Sequence, residues 1–318
     1  LQLWNGIRAL DFLETLPYVR RDALAATGES GGGTQTFLLA AVDARVKVAV
    51  PVNMISLHMQ GGCLCENPPG LRLGTTNVEI AATIAPRPLL MVSATGDWTK
   101  ETMEVEYPAV RAVYDLFGAA DRVQALRITA EHNYNKDSRE AMYAWMARWI
   151  QQAPADVKIA EKSFTVEPLQ DLLVFHQRSL PAEAVTAAQL TEAWIAGARR
   201  QLGVTPSAAN VAALRHALGA VPSVAATPPP AFNRTVIVAH SDPAVGKALT
   251  SAGFSVRPLT FTPFDDAAAA KVRHFETYNR TQAAQRVADI VAALSADPGA
   301  AIVANGDAAL AALLASAV

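Results

Sequence analysis

DALAATGESGG, residues 22–32, decides how the rest of the chain is read. Residues 22–27 form a short strand of small side chains. Residues 28–32 have the form Gly-x-Ser-x-Gly of a nucleophile elbow, in which a serine sits on a tight, strained turn from a strand into a helix. Residues 34–41 then return to helical character. Gly28 and Gly32 are expected to let neighbouring segments approach closely, because glycine carries no Cβ. Ser30 is the candidate nucleophile. The helix start places backbone N–H groups and a positive dipole end beside it, and the N–H of Gly31 is the expected oxyanion donor.

A serine hydroxyl is a poor nucleophile until a base takes its proton. Hydrolases with this elbow carry serine, then Asp or Glu, then His along the chain. PRPLLMVSATGD (86–97) holds a buried strand that delivers Asp97 at its carboxyl end, and VQALRIT (123–129) is a strand followed by His132. A parallel sheet would bring all three to one edge. His132 would be the base, and Asp97 would hold its tautomer and stabilise the imidazolium. Glu29 and Asn133, next to Ser30 and His132 in the chain, are candidate pocket residues. His58 precedes Asp97 and so has the wrong order; it either lines the pocket or is a satisfied loop residue. Glu101 competes with Asp97 but is expected in the first turn of a helix over 101–118, where an acid favours the dipole. Asp43 reads as a turn residue. His176, His216, His240 and His274 read as structural.

Outward from the elbow, residues 1–17 form a helix with Leu3, Ile7, Leu10, Phe12, Leu13 and Leu16 on its apolar face. RVKVAVPVN (45–53) is a buried strand, and 137–152 is a helix with Met142, Trp145, Met146, Trp149 and Ile150 inward. Strands alternating with helices predict an α/β fold, a mostly parallel sheet flanked by helices on both faces. It is expected to be of the α/β-hydrolase type and incomplete, because several strands would normally precede the elbow. The composition shifts after Gln152. The expected domains are 1–152, an Ala/Pro-rich helical connector over 153–234, and a second, partial α/β domain over 235–318. The connector has helices near 187–202 and 207–218 and a stiff TPPP at 227–230. The last segment has strands at 235–240, 255–261 and 299–305 and helices at 243–252, 281–294 and 307–318.

That last segment echoes the first. Arg286-Val-Ala-Asp289 parallels Arg8-Ala-Leu-Asp11, and Asp307 falls where Ser30 stands. Asn305 and Ala309 replace the elbow glycines, which points to a non-catalytic second copy. The chain begins with Leu1 and ends in an apolar helical run, so it is expected to be a fragment of a longer protein. The alternative is a circular permutant in which 235–318 supplies strands to a single sheet.

The 318 residues carry a net charge of −2, with 51% hydrophobic and 18% charged residues. That is enough for a sizeable core, and no basic stripe points to nucleic acid. No apolar run reaches the ~18 residues that span a bilayer. Cys63 and Cys65 are too few for a disulfide framework and too close for a zinc site; they read as half-buried thiols.

TGESGGGTQTFLLAAVD (27–43), QGGCLCENPPGLR (60–72), APRPLLMVSATGDWTKET (85–102) and HNYNKDSREAMYAWMARW (132–149) together resemble the bacterial acetyl-xylan-esterase-like α/β hydrolases of tandem type. The resemblance covers the first half of the chain. It implies a serine esterase acting on acetylated sugars or similar esters, with Ser30, Asp97 and His132 as its triad. It also implies no metal or organic cofactor, and a secreted or periplasmic location. Residues 60–72 would lie near the pocket and Trp98 beside the acid. The sequence departs from the family upstream of Ser30, where the loop giving the second oxyanion donor would lie. A serine peptidase or lactone hydrolase on the same fold, or an inactive hydrolase-like binding scaffold, are the other readings.

Overall fold

The computed structural model describes residues 2–202, 207–219, 231–239 and 242–318. The TPPP stretch, His240 and the side chain of Cys65 lie outside the described residues. The chain divides into two units, Leu1–Ser163 and Phe164–Val318.

In the first unit the order is α1 (Gln2–Thr15), β1 (Ala25–Glu29), α2 (Gly31–Val42), β2 (Val48–Val52), α3 (Asn77–Ala82), β3 (Leu89–Ala94), α4 (Glu106–Leu116), β4 (Val123–Ile128) and α5 (Lys136–Ile150). The strands form one parallel sheet in the order β1-β2-β3-β4. Their carboxyl ends therefore share one edge, where open parallel sheets present their sites. Side-chain alternation splits the core in two. Ala49, Leu89, Met91, Val123 and Ala125 pack with Phe37, Leu38, Val110 and Tyr114 of the helices. Val48, Val50, Val52, Leu90 and Val92 pack with Trp145 of α5. Burial on both faces explains why β2 and β3 read as unbroken apolar runs.

Several boundaries move. Residues 21–23 form a short 3-10 turn, so β1 begins at Ala25 and continues through Gly28 and Glu29. The helix expected over 101–118 begins at Glu106, because Pro108 lacks an N–H and suits only a first turn. Glu101 thus lies in a turn and not on a helix dipole, and it pairs with His58 at 2.7 Å. On α1, Leu10 is buried and Leu3 and Leu13 pack beneath it, but Phe12 points to solvent. Cys63 is exposed.

The glycines at the elbow divide the work differently from their spacing. A Cβ on Gly28 would lie 2.5 Å from the carbonyl of Gly32, and one on Gly33 would lie 2.8 Å from Val52 O and 2.9 Å from Met54 Cβ. A Cβ on Gly32 would meet nothing within 4 Å. The close approaches therefore need Gly28 and Gly33, while Gly32 supplies the backbone against which Gly28 rests.

The first unit extends past Gln152 because Glu161 fastens the following segment to α5. Its carboxylate takes Arg139 Nε and Nη2 at 2.5 and 2.7 Å and the Tyr143 hydroxyl at 2.9 Å. The Arg139 guanidinium holds the Glu161 carboxyl down at about 2.

The second unit contains α6 (Leu169–Leu172), α7 (Ala187–Leu202), α8 (Ala208–Ala217), β5 (Thr235–Ala239), α9 (Pro243–Ser251), β6 (Ser255–Pro258), α10 (Asp266–Ala269), α11 (Phe275–Tyr278), α12 (Gln282–Ala296), β7 (Ala301–Ala304) and α13 (Gly306–Ser316). Its strands pair in parallel among themselves, in the order β6-β5-β7. The echo weakens at residue level. Gly306, at φ 51°, takes the left-handed position, and Asp307 is an exposed first-turn acid paired with Arg286 at 3.2 Å. Asp289 accepts from Thr262, whereas Asp11 pairs with Arg8. No helix among the described residues is long and apolar enough to cross a membrane.

Two outcomes are expected. Gly33→Ala forces a Cβ into the β2 backbone and lowers unfolding stability by about 1–3 kcal/mol, while Gly32→Ala is neutral or stabilising by up to about 1 kcal/mol through helix propensity; urea melts of the pair check this. Glu161 has a depressed folded value, so its contribution is complete above the ordinary carboxylate range and is lost as pH falls toward about 2. Hydrogen exchange over 153–163, corrected for intrinsic rates, should rise across that window, and Glu161→Gln should raise it already at neutral pH.

Candidate active site

Ser30 joins β1 to α2 with φ 56° and ψ −120°, a conformation that costs an ordinary residue about 1–3 kcal/mol. The turn is held from both sides. Ser30 N–H donates to Val52 O at 3.1 Å, and Thr34 N–H donates to Ser30 O at 3.0 Å. Gly31 is the first residue of α2, where an N–H has no acceptor within the helix.

Asp97 and His132 emerge from neighbouring strands. The ladder between β3 and β4 ends at Ala94 opposite Ile128, and the two loops stay zipped beyond it. Thr95 N–H donates to Ile128 O and Gly96 N–H to Ala130 O, both at 3.0 Å. His132 Nδ1 then meets Asp97 Oδ2 at 2.7 Å, with the Asp97 side chain only 2% exposed. The other carboxylate oxygen, Oδ1, accepts from Thr99 N–H at 2.7 Å and Thr99 Oγ1 at 2.5 Å. Thr99 Oγ1 in turn accepts the N–H of Ala94, the last residue of β3. Asp97 is thus fixed in rotation, with one oxygen committed to its own loop and one left for the imidazole. Thr99 was not singled out from the sequence, although an Asp followed two residues later by Thr is a local turn signal.

Trp98 lies over His132, ring centroids 4.3 Å apart and tilted by 39°. Its carbonyl accepts from Ser56 Oγ at 2.8 Å, which ties the loop after β2 to this one. Its buried Nε1 has no partner among the described residues. A second tie runs from Asn53, at the end of β2 with φ 52°, whose Nδ2 donates to Asn133 O at 3.1 Å. The αL position suits asparagine, but the link to a residue eighty positions on is invisible in the sequence. Asn133 is held at this edge through its backbone carbonyl. His58 is exposed and engaged with Glu101.

The structure does not join Ser30 to His132 by a hydrogen bond. The ring's free nitrogen, Nε2, faces Glu29 Oε1 at 2.8 Å. Glu29 Oε1 has no aligned hydrogen bond, so the two atoms lie close without a directed bond between them.

The loop over 60–72 does reach the elbow. Glu66, 4% exposed, accepts from Gly62 N–H at 2.6 Å, Cys63 N–H at 3.0 Å and Thr34 Oγ1 at 3.2 Å, and its Oε1 stands 3.3 Å from where a Gly31 Cβ would be. Burial pushes its carboxyl up, but the N–H groups of Gly62 and Cys63 with the Cys63 thiol and Thr34 hydroxyl outweigh that and hold it below the usual range. Arg72, 2% exposed, closes the loop by donating to Glu66 O and Asn67 Oδ1. Glu66 was also missed, because only the fold brings it against the start of α2.

No protein-family model matches the chain. The chain is similar to "Putative hydrolase YtaP" of Bacillus subtilis (strain 168), 25% identical over 160 residues, which cover 47% of this chain and 54% of that protein. Among solved structures it is similar to Methylesterase BT1017, with 38% identity and a TM-score of 0.44 over 46% of this chain and 34% of that one. It is also similar to a carbohydrate esterase family 15 glucuronoyl esterase from Caldicellulosiruptor kristjansonii, with 20% identity and a TM-score of 0.41 over 52% and 54%. The chain spans about half the length of the curated relative it matches.

If the site hydrolyses esters with Asp97 fixed by Thr99, Thr99→Val should lower kcat by about ten- to a hundredfold, the equivalent of one hydrogen bond to a charged group. KM should stay within about twofold, and Thr99→Ser should restore most of the rate. Steady-state kinetics on p-nitrophenyl acetate measure it.

Proposed function

We propose that the first unit hydrolyses carboxylic esters through a serine acyl-enzyme. The observation that carries this reading is the strained backbone of Ser30 at the sheet edge where His132 emerges against Asp97. Ser30 Oγ attacks the ester carbonyl, and its proton passes to His132 Nε2 once Glu29 yields that nitrogen. Asp97 keeps the ring oriented through Nδ1 and balances the charge that forms on it. Gly31 N–H donates to the carbonyl oxygen as it becomes an oxyanion. His132 then gives the proton to the leaving alcohol. Water, activated by the same nitrogen, releases the acid and frees Ser30.

The substrates that fit the resemblance are small esters and acetylated carbohydrates, with acetyl-xylan-like deacetylation as the specific proposal. The hydrolase in the name of the Bacillus protein agrees with the coarser half of that reading. The second unit is proposed as a non-catalytic companion, because Asn305, with an ordinary extended backbone at φ −137°, stands at the strand-to-helix position that Ser30 occupies in the first.

Ser30→Ala should abolish p-nitrophenyl acetate hydrolysis by at least about a thousandfold and remove labelling by a fluorophosphonate probe. Activity kept within about tenfold, or unchanged labelling, would remove Ser30 from the mechanism.

A further inference from the structure

His132 follows β4 and Ser30 follows β1, with β2 and β3 between them in the sheet. At a strand spacing of about 4.8 Å, the chain after β4 has about 14 Å of sheet edge to cross. Three successive residues make that crossing, one strand at a time. His132 is gripped by Asp97, in the loop after β3. Asn133 O accepts from Asn53, at the end of β2. Tyr134 reaches β1 itself, its hydroxyl 2.6 Å from Thr27 Oγ1. Thr27 has one hydroxyl proton, and it goes to Val50 O at 2.9 Å. The phenol is therefore the donor between Tyr134 and Thr27. Burial pushes the Tyr134 phenol up, so it keeps the proton it donates. Thr27 and Glu29 lie two apart on β1 and face the same side of the sheet. The Tyr134 hydroxyl and His132 Nε2 thus come down beside adjacent same-face positions of one strand, the ring nitrogen 2.8 Å from Glu29 Oε1. The Tyr134 backbone is held as well, because its carbonyl accepts from Arg139 Nη1 at 2.6 Å.

We propose that Tyr134 is a positioning residue whose hydroxyl, by donating to Thr27, holds the His132 imidazole over the end of β1, within reach of Ser30. The inference rests on the serine ester hydrolase reading. Asp97 and Thr99 fix the ring from its Nδ1 side, but they stand on the loop after β3, two strands from the elbow. The Tyr134 bond ties the histidine loop directly to the strand that leads into Ser30. A reacting group displaced by about 1 Å can lose about a hundredfold in rate. The fold loses little with this bond, because the Tyr134 ring still packs against the core on the α5 face and Thr27 keeps its bond to Val50.

Tyr134→Phe in the full chain removes the donor and keeps the ring. The kcat for p-nitrophenyl acetate and the rate constant for fluorophosphonate labelling should fall together by at least about fivefold, with KM within about twofold and the urea midpoint nearly unchanged. Thr27→Val removes the same bond from the strand side, and serves alone if Tyr134→Phe does not fold. It should give a comparable loss, and the double variant should lose no more than the worse single one. Thr27→Ser, which keeps the hydroxyl, should stay within about twofold of the unaltered rate. Rates unchanged in Tyr134→Phe would overturn the proposal. So would losses that multiply in the double variant, or a lowered urea midpoint with an unchanged labelling rate. Ser30→Ala, run alongside, separates the two levels. If it still hydrolyses the ester, the serine reading fails and the proposal with it; a silent Tyr134→Phe in a chain that needs Ser30 overturns the proposal alone.

Discussion

No side chain fits between Gly28 and the backbone of Gly32, and the site depends on that contact. It lets β1 run directly into α2, with Gly33 pressed just as closely on the carbonyl of Val52. The turn left between them is too short for an ordinary backbone, so Ser30 is driven to φ 56°. The cost is met by burial. Phe37 and Ala40 of α2 are fully enclosed, and the helix cannot shift to relax the turn without opening the core beneath it. Strain at Ser30 is thus a result of packing several residues away, and it leaves both the hydroxyl and the Gly31 N–H at the sheet edge.

Around that turn the acids are arranged by what else they bond. Glu66 accepts from backbone N–H groups and a hydroxyl, so it braces the 60–72 loop. Asp97 spends one oxygen on Thr99 and the other on His132. Glu29 has only the ring. Donors thus satisfy Glu66 and Asp97, whereas the buried Oε1 of Glu29 has no aligned donor among the described residues.

Much of this was legible in the sequence. The buried strands, the amphipathic α5 and the strand-to-helix elbow follow from periodicity, and the parallel sheet follows from their alternation. The strand ends put Asp97 and His132 at one edge, and the structure has them in contact. What was not legible depends on contacts distant in sequence. Asn53 reaches Asn133, and Thr34 reaches Glu66, only after the sheet has formed. The motif also misassigned the second close-packed glycine. Spacing favours Gly32, but only the helix geometry shows that Gly33 faces β2. The resemblance between the two ends of the chain held for element order and failed for the residues. Equivalent turns there carry different side-chain partners.

The path from Ala94 N–H through the Thr99 hydroxyl to Asp97 and on to His132 crosses from a strand into a loop and back to another loop without a gap. Loops ordinarily move more than the elements they connect. Here the imidazole inherits the stiffness of the sheet's interior, because each link is short and the first is anchored in a fully buried strand. Freedom is therefore distributed unevenly across the ring. The Nδ1 side is tied to the sheet, and whatever adjustment a bound molecule demands must come from the Nε2 side, where Glu29 lies close without a directed bond.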